Sequence, residues 1–402
     1  MRDSTSKFQG YIMKKTLAAL AVLGAFAGTA AAADVTLYGV VDTGLAYTYD
    51  DTTDTAKEET FGMMSGYNAG SRFGLKGTED LGNGLKVGFK LENGFNSDDG
   101  SLKYENRLFG REASLSLTSE FGTLSFGRMG GVASSAGTYD IVYATADAFD
   151  GGDNDILGLQ ISSRYDNMLT YQTPKFAGVQ GTVQYSFKQN SVSGEGTEGT
   201  SKADRYASLA LTGDFGPLQM VGAYELSKYA NTKYANTDSA HDETHAFYLG
   251  GNYDFQFMKV FALAQYTKGA KGFGSEGDLF GSDLFKDDET GKLDLVSGHE
   301  KGIDSYGLHL GTIVPVLGGD LTVGAYYVDG ETDTLSYGPD DNMKLDLTYA
   351  GLSARYVYPL SKRTSLYAGA GYAEEKLESN LADDEEYKHK IGQAYVGVTH
   401  TF

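Results

Sequence analysis

Cysteine and tryptophan are absent from the 402 residues, and proline occurs only 5 times. Without thiols there is no disulfide framework, no thiolate metal site and no cysteine nucleophile. Beyond the N-terminus no apolar run reaches the roughly 20 residues that a membrane-crossing helix needs. No segment keeps a helical apolar stripe over three turns. Positive charge is scarce as well: 33 Lys and Arg stand against 54 Asp and Glu, a net charge of −21. Such a balance argues against nucleic acid as a partner. Glycine (54), tyrosine (29) and phenylalanine (21) are abundant instead. Glycine is present at about twice its usual share. With 41% hydrophobic residues and so many aromatics the chain is not disordered. Many glycines and few prolines suit many strands and many turns.

The N-terminus reads as an address. Met13-Lys14-Lys15 opens a basic region, Leu17 to Gly28 is an apolar stretch, and Ala30-Ala31-Ala32 is a small-residue cleavage pattern. These are the three parts of a secretory signal peptide. Met1 to Ile12 is polar and fits none of them, so Met13 is the better start, although the sequence alone leaves Met1 open. The expected division is 1–33 as upstream extension and signal peptide, and 34–402 as one folded unit. Removing 1–33 takes away Arg2, Lys7, Lys14, Lys15 and Asp3, so the charge of −21 becomes −24.

After Asp34 the dominant period is two. Val35, Leu37, Gly39 and Val41 alternate with Thr36, Tyr38, Val40 and Asp42. Val87, Phe89 and Leu91 alternate with Lys86, Gly88, Lys90 and Glu92, and runs from Leu321 and to Val398 behave alike. Each run is about ten residues, the length of a tilted membrane-spanning strand. Seven short connections fall near 80–84, 120–122, 174–178, 214–217, 254–257, 315–319 and 359–363. Eight long polar ones fall near 50–66, 96–105, 129–163, 190–202, 230–242, 269–300, 330–343 and 376–388. Fifteen connections separate sixteen strands. Pro174, Pro217, Pro315 and Pro359 sit in the short turns, where no ladder donor is lost. The expected fold is all-β: a sixteen-stranded antiparallel transmembrane β-barrel with short periplasmic turns and long extracellular loops. Closure removes sheet edges and satisfies every backbone polar group in lipid. Sixteen strands leave a water-filled lumen. Aromatics near strand ends, among them Tyr38, Tyr47, Phe73, Tyr171, Phe176 and Tyr358, are expected in interfacial girdles.

Several segments together carry a resemblance. They are Val35-Thr-Leu-Tyr-Gly-Val-Val-Asp42, Ser71-Arg-Phe-Gly-Leu-Lys-Gly-Thr-Glu-Asp-Leu-Gly-Asn-Gly-Leu85, Leu108-Phe-Gly-Arg-Glu-Ala113, Phe121-Gly-Thr-Leu-Ser-Phe-Gly-Arg128, the run from Arg164 to Gly178, and His400-Thr-Phe402. In these the chain resembles the general porins of Gram-negative bacteria, most closely the β-proteobacterial, Neisseria- and Burkholderia-like branch. The likeness covers 34–402, is dense to about residue 187 and at the C-terminus, and is mainly architectural between. It implies an outer-membrane homotrimer, passive and not enzymatic, without cofactor or metal. The implied partners are lipid and lipopolysaccharide, the barrel-assembly machinery, and small hydrophilic solutes and ions. Phe402 is then the barrel-closing assembly signal. The resemblance also implies that the third long loop, Met129 to Ser163, folds into the lumen and narrows it. Its acids Asp140, Asp147, Asp150, Asp153 and Asp155 would face a basic wall of Arg72, Arg111, Arg128 and Arg164, extended by Lys76 and Lys86.

Acids facing bases across a narrow lumen make a transverse field that orients polar solutes. Strand parity supports Arg72, which alternates with Phe73 and Leu75. Parity fails at Arg111, which shares a face with Ala113, Leu115 and Leu117, so a bulge or twist is needed there. Acid clusters such as Asp98-Asp99, Asp287-Asp288-Glu289, Asp340-Asp341 and Asp383-Asp384-Glu385-Glu386 lie in loops at the expected pore mouth. Acids at a mouth enrich cations, so cation preference is expected. Other chemistry finds little footing. Asp150-Gly-Gly-Asp-Asn-Asp155 lacks the EF-hand spacing, and His241 and His245 lack a zinc motif. The alternatives are a substrate-selective channel with an aromatic ladder along its lumen, or a non-conducting adhesin or receptor barrel.

Overall fold

The computed structural model describes residues 34–402 except 53–56, 105–106, 136, 155, 195, 231–242, 271–301, 333–334, 337–341 and 380–385. The expected signal segment, Asp155, His241 and most of the acidic loop clusters lie outside the described residues. The strands are β1 (Asp34–Thr52), β2 (Glu58–Ser65), β3 (Arg72–Gly82), β4 (Leu85–Gly94), β5 (Glu112–Ser119), β6 (Gly122–Gly130), β7 (Arg164–Gln172) and β8 (Val179–Ser186). They continue as β9 (Arg205–Phe215), β10 (Leu218–Lys228), β11 (Thr244–Asp254), β12 (Lys259–Ala270), β13 (Ile303–Val316) and β14 (Gly319–Thr332). β15 (Leu335–Ser336) and β16 (Asn342–Met343) pair with each other alone, and β17 (Leu345–Pro359), β18 (Thr364–Ser379) and β19 (Glu386–Thr401) complete the wall.

The main sheet has seventeen strands in sixteen positions. β2 pairs with the upper half of β1 and β3 with its lower half, so together they hold one position. The long connection expected at 50–66 is therefore shorter: β1 runs to Thr52 and Glu58–Ser65 folds straight back on it. The break between β2 and β3 is pinned from within. The Asp42 carboxylate accepts from the backbone of Asn68 and Ala69, from Tyr367 and from Thr399. The other wall pairs are antiparallel neighbours in sequence, and β19 closes the barrel on β1 from Val40↔Thr401 to Thr52↔His389. All seven expected short turns join strand pairs as read.

Alternation sorts the two faces of the wall. Leu37, Val41 and Leu45 are exposed toward lipid, while Asp42 and Ala46 are buried inside. Phe121, Phe176 and Phe257 project at the short turns, as an aromatic girdle requires. Tyr38 does not join a girdle. Its even register turns it inward, where its hydroxyl donates to Glu92 at 2.8 Å.

The third loop, 131–163, folds inward and carries one short helix, α1 (Val142–Ala146). Its Val132, Val142, Tyr143, Ile156, Leu157 and Leu159 share one apolar core with inward residues of the far wall, including Val221, Tyr248, Leu263, Tyr326, Tyr349 and Ile391. Each such side chain, fully buried, contributes about 1.5–3 kcal/mol. Inward glycines let the loop approach. A Cβ at Gly250 would lie 2.7 Å from the Ala146 Cβ, and one at Gly371 would lie 2.7 Å from Ile156. The lumen is thus filled on the β9–β19 side and the loop faces the β1–β8 side.

The last residue is tied to β1. Gly39 and Phe402 exchange both backbone hydrogen bonds, at 3.0 and 3.1 Å. A Cβ at Gly39 would stand 2.3 Å from the Phe402 ring. Gly39→Leu is expected to displace that ring and lower the yield of folded barrel, read as the heat-modifiable band on a detergent gel. An unchanged yield would mean that this contact does not guide closure.

Candidate functional site

The basic residues gather near the start of β3, the end of β4 and the loop before β5. Arg72 opens β3 on the inward face, and its Nη1 donates to the Gly70 carbonyl at 2.9 Å. Arg111 lies one residue before β5, so strand parity does not govern it and no bulge is needed. It is buried, with Nε on Glu92 at 2.7 Å and Nη1 3.3 Å from the Tyr104 hydroxyl. Arg164 opens β7 with its guanidinium 4.8 Å from the Tyr104 ring centroid. Its Nε is buried and has no hydrogen-bond partner among the described residues. Tyr104 fits because Gly94 and Gly110 flank it: a Cβ at either would come within 2.4–2.5 Å of its side chain. Burial alone would raise the Tyr104 phenol, but Arg164, Arg111 and Lys103 hold it below its usual range.

The other expected bases stand apart. Arg128 sits within the register shift of β6 and bonds the Gly110 carbonyl (2.8 Å), the Arg164 carbonyl (3.2 Å) and Asp166 (2.8 Å). Asp166 also takes Arg107 at 2.8 Å. Lys76 faces inward further along β3, 5.1 Å from the Tyr38 ring centroid. Lys86 lies beside the β3–β4 turn, opposite Asp80 and Thr118. Arg72 pairs with Gly94 at the other end of β4, so Lys86 is not brought to the arginine cluster.

The loop acids divide into two groups. Asp140 and Asp150 are hydrogen-bonded to each other. Asp140 is influenced by Arg164, and Asp150 by Arg355 and Arg72. Solvent reaches both carboxyls from the lumen, but dense protein around them removes hydration. That desolvation raises both above the usual carboxylate range, and mutual repulsion raises Asp140 further. The two carboxyls therefore titrate as a pair rather than singly.

Asp147 and Asp153 face the opposite way and hold the loop to the far wall. Asp147 accepts from the Tyr326 hydroxyl at 2.9 Å and the Phe149 amide at 2.7 Å, with His309 Nε2 at 3.4 Å. His309 Nδ1 donates to the Ala325 carbonyl at 3.1 Å, which leaves Nε2 to accept from the Ala148 amide at 3.3 Å. Asp153 accepts from Tyr395 at 2.6 Å, from Ser353 and from Gln393 at 3.2 Å, with Arg355 at 3.6 Å. A third anchor is Glu225 on β10, which accepts from Tyr206, from Tyr248 at 3.0 Å and from the Ala133 amide at 3.1 Å.

Sequence reasoning missed Glu112, Arg107, Asp166, Tyr104 and Arg355 as parts of this site. Glu112 is a hub, accepting from Lys90 (2.8 Å), Ser114 (2.9 Å) and the Thr138 hydroxyl (2.7 Å) and amide (3.1 Å). Alternation sets Lys90 and Glu92 on the face opposite Val87, Phe89 and Leu91; nothing local marks Arg355, more than 190 residues from the loop it faces. His245 donates to or accepts from Tyr224 at 2.8 Å.

Asp153→Ala removes the acceptor for Tyr395, Ser353 and Gln393 and unpairs Arg355. Each buried polar group left unsatisfied costs about 1–3 kcal/mol. Hydrogen exchange of the amides at 147–160 is expected to speed up by roughly tenfold or more, with the wall strands unchanged. No change would mean that apolar packing alone holds the loop.

The family description "Gram-negative porin" matches residues 18–378. An outer membrane porin protein of Bordetella pertussis is 35% identical over 413 aligned positions, covering 97% of this chain and 100% of that protein. A major outer membrane protein P.IB of Neisseria gonorrhoeae is 37% identical over 184 positions, 44% of this chain and 50% of its own length. Among solved structures, an anion-selective porin from Comamonas acidovorans superposes with a TM-score of 0.60 at 25% identity, covering 92% of this chain and 100% of that one. These relatives are outer-membrane channels, not enzymes. With the closed sixteen-position barrel, the inward third loop and a match across most of its length, the chain belongs to the Gram-negative porin family.

Proposed function

We propose that the chain is a passive diffusion pore whose selectivity is set by two opposed charge systems. The observation that carries this reading is the division of the loop acids. Asp147 and Asp153 are sealed against the far wall, and Asp140 and Asp150 are paired with each other, their carboxyls raised above the usual range by desolvation. Glu92 and Glu112 are matched by Arg111 and Lys90. Arg72 and Arg164 keep an excess of positive charge at the narrow part, which favours anions there. The acids near Asp98-Asp99 and in the other loops act at the mouth and favour cations. The cation preference expected from the acids at the mouth therefore gives way to one that depends on salt. The comparison protein described as anion-selective supports the constriction half of this reading.

Assembly follows from the height of the wall. β5 and β8 have 8 residues each, whereas β18 and β19 have 16. Eight residues rising about 3.3 Å each at a tilt near 40° climb only ~20 Å, short of the ~25 Å apolar band. The β5–β8 wall is then covered by protein, and the occupant we propose is a second copy in a homotrimer. Export with removal of 1–33, insertion by barrel-assembly machinery, and contact with lipid and lipopolysaccharide complete the proposal.

Four outcomes check it. Reversal potentials in KCl gradients centred near 1 M, where the screening length is about 3 Å, are expected to have the anion-selective sign. Near 0.01 M, where it is about 30 Å, they are expected to move toward cations. Arg72→Ala with Arg164→Ala should abolish the high-salt anion sign, and an unchanged sign would remove these arginines from the selectivity device. Raising pH deprotonates the Asp140–Asp150 pair, whose carboxyls sit above the usual range, and adds negative charge to the constriction. Anion preference at high salt should thus fall with rising pH, and Asp150→Asn should flatten that dependence. Paired cysteines placed on the outer faces of β5 and β8 should cross-link to trimers; cross-linking only to dimers, or none, would refute the assigned contact wall.

A further inference from the structure

We propose that the lumen contains a resting site for small polyhydroxylated monoanions, of the sugar-acid and hydroxycarboxylate class, in a niche on the β1–β6 wall under the inward loop. This rests on the diffusion-pore reading and adds a solute class to it. The niche is a cavity of about 460 Å³, within the roughly 300–1,000 Å³ of small-molecule sites. Its floor is one row across four strands: Thr36 faces Lys76, Lys76 faces Lys90, and Lys90 faces Ser114. Directly opposed residues share a face of the sheet. The next inward row passes from Thr78 through Gly88 to Ser116. Gly88 leaves the recess open, because a Cβ there would stand 2.7 Å from the Ser116 hydroxyl. Thr138 and Tyr139 of the third loop close the niche from the other side.

The charges in the niche do not cancel. Lys90 is matched by Glu112 at 2.8 Å, with Glu92 at 3.8 Å. Tyr139 is spent on Ser125 at 2.7 Å. Lys76 lies against the Tyr38 ring and is exposed, and among the described residues no carboxylate comes within ion-pair distance of it. One uncompensated ammonium suits one carboxylate. Thr36 and Thr78 stand beside it with hydroxyl donors that make no hydrogen bond to the described protein. Ser114 and Ser116 have given their protons to Glu112 (2.9 Å) and the Gly88 carbonyl (3.3 Å), so they offer lone pairs. A ligand with a carboxylate at one end and hydroxyl donors along its chain meets both halves. Acetate meets only the first, and a neutral polyol only the second.

The test is ion current through the refolded full barrel in a planar bilayer, with KCl as carrier and potassium gluconate, potassium acetate or sorbitol added. Gluconate is expected to reduce the current saturably, at a concentration roughly fivefold or more below that of acetate, the worth of about one net hydrogen bond. Sorbitol is expected to have no saturable effect in that range. Lys76→Met should abolish the gluconate effect and Lys76→Arg should keep most of it. Ser114→Ala with Ser116→Ala should bring gluconate to the acetate level. Equal potency of gluconate and acetate, or a gluconate effect that survives Lys76→Met, overturns the site while KCl conduction continues. Folded protein with no KCl conduction at all overturns the diffusion-pore reading as well.

Discussion

Every feature of this molecule depends on the seam where β19 pairs with β1. Backbone N–H and C=O groups have no water to turn to inside a bilayer, so the sheet must end on its own beginning. The seam is long, running from Val40 to Thr52 on one side and from Thr401 to His389 on the other. Once closed, the wall has an inside, and that inside fixes where the third loop goes. The loop brings Val142, Ile156 and Leu157 to a concave face that is apolar only on the far wall. The near wall offers lysines, arginines and hydroxyls, so the loop has one face to bury and one to leave wet.

The anchoring of that loop explains its acids better than its charge does. A buried carboxylate is tolerated where donors surround it. Asp147 and Asp153 have such donors from Tyr326, Tyr395, Ser353 and Gln393. They serve position, and the field across the lumen falls to the Asp140–Asp150 pair and the arginines. A ring of charges read from sequence is therefore smaller in the fold than its count suggests, because some members are spent on holding others in place.

Much of the fold was legible because alternation is a local signal. Leu37 and Val41 mark lipid and Asp42 marks the interior within six consecutive residues. Turn prolines such as Pro174 and Pro359 mark the short ends. The break at 66–71 was not legible, since it depends on Asp42 meeting Tyr367 and Thr399 from the opposite end of the chain. Arg111 shows the limit of parity: the rule held, but the strand starts one residue later than the pattern implied. Tyr38 shows the converse, an aromatic near a strand end whose register sends it to Glu92 rather than to lipid. The roles of Asp147 and Asp153 were hidden because their partners lie 150 to 250 residues away.

The order of the chain makes the loop a late arrival. It is synthesised before the strands that hold it, since His309, Tyr326, Ser353, Gln393 and Tyr395 all follow it by well over a hundred residues. Contacts of such long range form slowly, because the intervening chain must be closed first. The narrowing of the lumen is therefore a consequence of completed wall assembly rather than a step toward it. A barrel halted before β17–β19 are in place would present an unsealed interior in which Asp153 lacks Ser353, Gln393 and Tyr395, so that the end of the third loop held by this carboxylate would be unmoored.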